Sequence, residues 1–208
     1  MSPTMSVPGV PFPLTPSARS AWNIEASSES ISVVAAPHSD IFIDPRSDSQ
    51  VDDGSLLSAA TLLGAPPAGD FQFRARVTVG FGSTFDAGVL LLWIDERHWA
   101  KLCFELSPAG EGMIVSVVNR GVSDDANAFV VGGDTAWLRV SRIDRAYAYH
   151  ASRDGKRWEM IRLFRLESSS AIATVGFQAQ SPAGDGCAVK FDDIAFRLER
   201  LAELRDGS

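Results

Sequence analysis

In DERHWAKLCFEL, residues 95 to 106, Trp99, Lys101 and Glu105 fall on alternate positions of a run rich in β-forming residues. Side chains of an extended strand alternate between its two faces, so these three leave one side together. An indole that stacks on an apolar ring face, an ammonium and a carboxylate make a set suited to a carbohydrate or a small polar metabolite. A second acid extends the possibilities to hydrolysis. Asp86 and Glu105 as diagonal cross-strand neighbours would hold their Cβ atoms about 7 to 8 Å apart. Glycoside hydrolases work with carboxyl separations of about 5 to 5.5 Å or about 6.5 to 9.5 Å. Lys101 lies four residues from Glu105, about 13 Å along a strand, too far to assume that it tunes either acid.

The elements that must position these groups are strands. Between residues 30 and 197 short β-branched and aromatic runs alternate with turn signals: ISVVAA, DFQFRARVTV, AGVLLLWID, HWAKLCFEL, MIVSVVNR, WLRVSR, AYAYHAS, RWEMIRLF, ATVGFQAQ and CAVKFDDIAF. That order predicts an all-β antiparallel sandwich. Pro37, Pro45, Pro66, Pro67, Pro108 and Pro182 fall between the runs, where a missing N–H harms no ladder. The one long connection, SDSQVDDGSLLSAATLLGAPPAGD, predicts a helical turn around Leu56 to Leu63. Residues 1–25 read as a flexible Pro-rich lead-in, 26–200 as a single sandwich domain and 201–208 as a tail, where Leu198, Leu201 and Leu204 at helical spacing predict a short C-terminal helix.

A tight hairpin through Asp95 to His98 would set Trp93 against Ala100, Leu91 against Leu102, Val89 against Phe104 and Ala87 against Leu106, all apolar pairs. The next hairpin, across SPAGEG, would pair Phe104 with Val115, Leu102 with Val117 and Leu106 with Met113. The opposite face then carries Trp99, Lys101, Cys103 and Glu105, flanked by Asp86, Gly88, Leu90, Leu92 and Ile94 on one side and Ile114, Ser116, Val118 and Arg120 on the other. In this register Gly88 leaves space above Glu105, and Trp99 faces Arg120 for a cation–π contact worth about 0.5 to 2 kcal/mol. A solvent face of an antiparallel sheet is mostly polar; this one is mixed, as in a binding groove. The competing reading is a satellite core under a long loop, with Lys101 paired to a nearby carboxylate.

Ser123, Asp124, Asp125 and Asn127 follow that sheet in a polar turn that could reach over its edge, or simply form Asx and Ser turns. The D-x-[DN]-x-[DN]-G spacing of a calcium loop is absent. Arg139 and Ser141, and Gln178 and Gln180, alternate with apolar neighbours and look outward toward the same face, where guanidinium and amides suit sugar hydroxyls. In APHSDIFIDP, His38, Asp40 and Phe42 could line its rim. SRDGKRW, residues 152 to 158, is a tight-turn signal with Asp154-Gly155 at its tip.

Several classes are excluded. The formal charge of −7, without a Lys/Arg stripe interleaved with aromatics, repels nucleic acid. No apolar run approaches the roughly 18 residues of a membrane span, and the N-terminus lacks a secretory pattern, which makes the cytoplasm the default. Cys103 and Cys187 are too few for a disulfide framework. His38, His98 and His150 lie far apart and neither cysteine has metal spacing, so no zinc or other cofactor is expected. No G-x-S-x-G elbow, P-loop or dinucleotide fingerprint occurs.

The ordered runs FDAGVLLLWIDERHWAKLCFEL, IVSVVNRGVSDDANA, SRDGKRW and VGFQAQSPAGDGCAVKFDDI resemble the family called domain of unknown function 1349, which takes in regulation-of-enolase proteins, over roughly residues 30 to 197. The resemblance implies a concanavalin A-like lectin/glucanase jelly roll whose concave sheet is open to ligands, and it implies no established activity. Laminarinase-type enzymes of that wider fold carry an E-x-D-x-[x]-E strand; here Leu106 and Ser107 follow Glu105 and Glu111 falls in a turn, a departure that speaks against glucanase chemistry. The expectation is a lectin-like domain binding a carbohydrate or polar metabolite through Trp99, Lys101, Glu105, Arg120, Ser123, Asp124, Asp125, Arg139 and Gln178. The alternatives are a glycoside hydrolase using Asp86 and Glu105, and a protein-interaction module in metabolic regulation.

Overall fold

Phe71, Phe73, Ala75, Val77 and Val79 are buried while Gln72, Arg74, Arg76 and Thr78 between them are half-buried, the period-2 pattern of a strand with one face on a core. The computed structural model describes residues 4–18, 20–46, 56–166 and 173–208. In chain order its strands are β1 (Thr15–Pro16), β2 (Asn23–Glu25), β3 (Ser30–Val34), β4 (Ile41–Phe42), β5 (Leu56–Leu57), β6 (Ala60–Gly64), β7 (Phe71–Val79), β8 (Ala87–Asp95), β9 (His98–Leu106), β10 (Gly112–Arg120), β11 (Ser123–Val130), β12 (Thr135–Ile143), β13 (Ala146–Ser152), β14 (Glu159–Phe164), β15 (Thr174–Gln180) and β16 (Ala188–Arg197). The first sheet has the order β1-β6-β15-β8-β9-β10-β11, the second β14-β13-β12-β7-β16-β3-β2, and β4 pairs with β5 alone. Every pairing is antiparallel.

The sandwich fills with aromatics from both sheets. Phe177 of β15 packs against Phe73 of β7 at 5.2 Å between ring centroids and against Phe191 of β16 at 4.8 Å. Leu90, Leu92, Ala100, Leu102, Phe104, Ile114 and Val118 close the same interior from the first sheet. Gly88 belongs here too: a Cβ on it would come within 2.4 Å of Val77 and 2.7 Å of Val189.

Both hairpin registers differ from the expected ones by one residue. Leu90 pairs with Leu102, Leu91 with Lys101, Trp93 with Trp99 and Ala87 with Glu105, and across the next hairpin Leu102 pairs with Ser116 and Cys103 with Val115. In the first hairpin the cause is a bulge between Trp93 and Asp95, which absorbs one residue at the turn; the second runs without a bulge from its Leu106–Gly112 pair. Apolar matching could not detect the bulge, because residues 87 to 92 are buried on both faces of β8 and a one-residue slip exchanges one apolar set for another.

Three other expectations are corrected. Far from a loose lead-in, the N-terminal region bridges Met5 to Leu14, adds β1 and β2 to the two sheets and buries Val7, Phe12, Leu14 and Trp22. In place of a helical turn, Leu56 to Leu63 forms β5 and most of β6, while residues 47–55 of the same connection lie outside the described residues. The C-terminal helix is absent: residues 201–208 form turns with Leu201 buried, and the one helical element among the described residues is a 3-10 turn at Ala26–Ser28. No helix among the described residues is long and apolar enough to cross a membrane.

Candidate functional site

Strand parity brings Trp99, Lys101, Cys103 and Glu105 together on the face of the first sheet turned away from the sandwich interior. Their neighbours there are Ala87, Val89, Leu91 and Trp93 from β8, and Met113, Val115, Val117 and Asn119 from β10. Much of this outer face is a second apolar cluster, capped by Ile41, Ile43 and Ala59. The capping segment crosses the sheet from β15 to β11. Ser39 exchanges two backbone hydrogen bonds with Ser181 at one end, while at the other the Ile43 N–H donates to Ser123 Oγ at 2.9 Å and the Ser123 N–H donates to the Ile43 carbonyl at 3.0 Å.

Under this cover sits a buried ion pair. Lys101 is 2% exposed, and its Nζ donates to Asp40 Oδ1 at 2.7 Å and to Gln180 Oε1 at 3.0 Å. Burial is the largest single influence and works against the ammonium, but the Asp40 carboxylate, together with the other acidic groups beside it, more than offsets this and holds Lys101 above its ordinary range. Gln178 Nε2 donates to the same Gln180 oxygen at 2.7 Å, so two outward amides of β15 and one cation form a network. Lys101 Nζ also lies 5.9 Å from the Trp99 ring centroid.

Glu105 is the exception in this network. It is 8% exposed and has neither a hydrogen-bond nor an ion-pair partner among the described residues. Desolvation, reinforced by Asp40 and Asp125 and only partly offset by Lys101, pushes its carboxyl up to about 8. At neutral pH the group is therefore a carboxylic acid, able to donate one hydrogen bond and accept others. Asp125 projects from β11 on the same face, in register with Val117 and thence Lys101, and desolvation lifts it as well.

The remaining sequence candidates separate. Trp99 is fully buried with its Nε1 unpartnered among the described residues, so the stacking role expected of it has no open ring face. Arg120 does not oppose Trp99: the register gives it His98, and its exposed guanidinium donates to the Arg165 carbonyl. Ser123, Asp124 and Asp125 are not a loop but the start of edge strand β11. Ser123 there anchors the cover and Asp124 pairs with Arg162 at 2.8 Å. Gln178 is where parity put it, whereas Arg139 belongs to β12 in the opposite sheet and has no part in this face. Asp86 is fully buried and accepts from the Gly82 and Ser83 N–H groups and from Ser181 Oγ at 2.6 Å. Its lone pairs fasten a turn, and the Asp86/Glu105 acid pair is lost with it.

One residue at this end of the sheet had no signal in the sequence. Phe85 has φ +70° and is 40% exposed. Its N–H donates to the Leu106 carbonyl while the Leu106 N–H donates to Asp86, the pattern of a bulge whose left-handed position is normally glycine. A bulky residue there carries strain of about 1–3 kcal/mol, and it places an exposed ring beside the strand end that bears Glu105.

Known proteins share this architecture. Regulation of enolase protein 1 of Saccharomyces cerevisiae is 32% identical over 157 residues, 74% of this chain and 78% of that protein. A solved structure of a functionally unknown protein from Saccharomyces cerevisiae superposes with a TM-score of 0.71 at 23% identity, covering 86% of this chain and 96% of the other. The GH43 protein BlXynB from Bacillus licheniformis gives 0.69 at 12% identity over 90% of this chain but 37% of its own length. The carbohydrate binding module CBM66 from Bacillus subtilis gives 0.50 at 12% identity over 95% and 98%. Among these structures the likeness is one of fold. With its family model matching residues 18–198 and this identity to the yeast protein, the chain belongs to the family described as protein of unknown function DUF1349.

Proposed function

We propose that the outer face of the first sheet binds a carbohydrate or a small polar metabolite where Glu105 emerges at the edge of the β4–β5 cover. Glu105, neutral at physiological pH, is the central hydrogen-bonding group. Phe85 replaces Trp99 as the ring surface, Asp125 stands at the rim, and Lys101, Gln178 and Gln180 hold the floor in place. The observation that carries this reading is a nearly buried carboxyl without a partner, since folded proteins ordinarily satisfy such groups and leave them open mainly at functional sites. A sugar hydroxyl, both donor and acceptor, matches a carboxylic acid without bringing a charge into a desolvated place. The carbohydrate binding module and the GH43 protein with this fold support the choice of ligand class.

A glycan and polar-metabolite array followed by calorimetry tests it. A hit should weaken at least tenfold, about 1.4 kcal/mol, in both Glu105→Gln and Phe85→Ala. Binding that ignores both changes, or an array without hits, overturns the reading. The name of the yeast relative and the exposed residues 124 to 128 of edge strand β11 favour a second reading, a protein-interaction module. A stoichiometric protein partner lost on charging β11, together with a blank array, would support it.

A further inference from the structure

We propose that the outer face of the second sheet holds a separate cavity that binds the oxyanion group, carboxylate or phosphate, of a small ligand through Arg74, Arg139 and Arg197. The register builds it: Arg139 of β12 pairs with Arg74 of β7, which pairs with Ala195 of β16, while Ser141, Gln72 and Arg197 form the adjoining row. Alternation turns all of them away from the core. Between them lies a cavity of about 70 Å³ lined by Gln72, Arg74, Arg139, Ala195 and Arg197. Pockets for whole small molecules are several times larger, about 300–1,000 Å³, so a charged head group fits this cavity and the rest of its molecule stays outside.

Charge and unsatisfied valence point the same way. Three guanidinium groups meet one carboxylate, Asp193, which takes Arg74 at 3.1 Å and also accepts from Trp137 Nε1. Arg197 is exposed and has no partner among the described residues. Arg139 is 6% exposed, donates to Gln72 Oε1 at 3.3 Å and to the Gly207 carbonyl at 2.5 Å, and leaves its Nε without a partner. One further buried donor on the same face, Ser141 Oγ, is also unpartnered among the described residues. A buried guanidinium that lacks an anion is costly, and the planar fork of arginine matches two oxygens of one oxyanion. Burial, then the charge of Arg74, pulls Arg139 down to about 10, a strain that a bound anion would relieve.

The experiment titrates the full chain with inorganic phosphate, and separately with acetate, at constant ionic strength held with chloride. Calorimetry and thermal unfolding are the readouts. Saturable one-to-one binding of either anion, weakened at least tenfold in Arg197→Gln and in Arg74→Gln but unchanged in Glu105→Gln on the other sheet, is the expected result. Phosphate alone would assign a phosphorylated ligand, acetate alone a carboxylate. Arg197 is exposed, so its substitution leaves the fold intact. No saturable binding of either anion, or equal binding in wild type and Arg197→Gln, overturns the proposal.

Discussion

The two outer faces of the sandwich solve one problem in opposite ways. Each carries a buried cation at mid-sheet, Lys101 on the first and Arg139 on the second, and each is partly covered by a crossing segment. On the first face the cover delivers a carboxylate, Asp40, and the further acids beside it, Glu105 and Asp125, are both shifted toward their neutral forms by desolvation. On the second, the cover is the C-terminal segment, which delivers the Gly207 carbonyl to Arg139 and the Leu204 carbonyl to His150, and the surplus charge is cationic. A full charge neutralises its cation; a carbonyl dipole satisfies geometry and leaves the charge. One face is therefore suited to neutral polar ligands and the other to anions.

The sharpest way to break this comparison is Asp40→Ala. It strips a buried ammonium of its counter-charge, which costs about 3–5 kcal/mol, and it should show as a lower urea midpoint at pH 7. Asp40→Asn, which keeps a hydrogen-bond acceptor, should recover only part of the loss. If Asp40→Ala costs less than about 1 kcal/mol, as surface pairs do, the cover is not fastened by this ion pair and the contrast between the two faces fails.

Strand parity was legible because it needs only alternation: from HWAKLCFEL alone, Trp99, Lys101 and Glu105 share a face, and they do. Register was not, because β8, β9 and β10 are largely buried on both sides and the bulge after Trp93 leaves no mark in residue type. With the register went the expected partners of Trp99 and the open space over Glu105. Arg139 shows a different limit. Alternation reports that a side chain faces outward but not from which sheet, and assignment of β12 to the second sheet depends on pairing with β7, where Arg139 meets Arg74, 65 residues earlier. Asp40 could be read as a rim residue from its place between prolines, yet its pairing with Lys101, 61 residues away, is a tertiary fact.

The faces should also respond to pH with opposite sign. Glu105 has its folded pKa raised from 4.5 to about 8, so the unfolded chain ionises first. Its contribution to stability is fully present below about 4.5 and is lost as pH rises through 8. His150 is depressed from 6.5 to about 4 by burial, with Arg139 adding to it. Its contribution is present above 6.5 and lost as pH falls through 4. Chemical unfolding measured from pH 4 to 9 should give a maximum between these limbs. Glu105→Gln should flatten the alkaline limb alone, gaining on the order of a few kcal/mol relative to wild type at pH 9 compared with pH 5. An alkaline limb unchanged by that substitution would mean that Glu105 is ionised and hydrated in the folded protein.

Because the second cover acts through a backbone carbonyl, no side-chain deletion within it removes the contact; only its backbone conformation can. Gly207 has φ +74°, and a Cβ there would come within 2.3 Å of Arg139 Nη2, 2.8 Å of Trp158 Cβ and 3.1 Å of His150 Cδ2. The arginine cannot swing away freely, since its guanidinium lies over the Trp158 ring at 4.2 Å. Gly207→Ala should therefore lift the segment, lower stability by about 1–3 kcal/mol and raise amide exchange at residues 201–208. Gly69→Ala is the comparison: φ there is +111° but nothing lies within 4 Å of the added methyl, so it tests backbone strain without a clash. Equal losses in the two variants would mean that the tail is held by its own turns, and that Arg139 is satisfied by something other than Gly207.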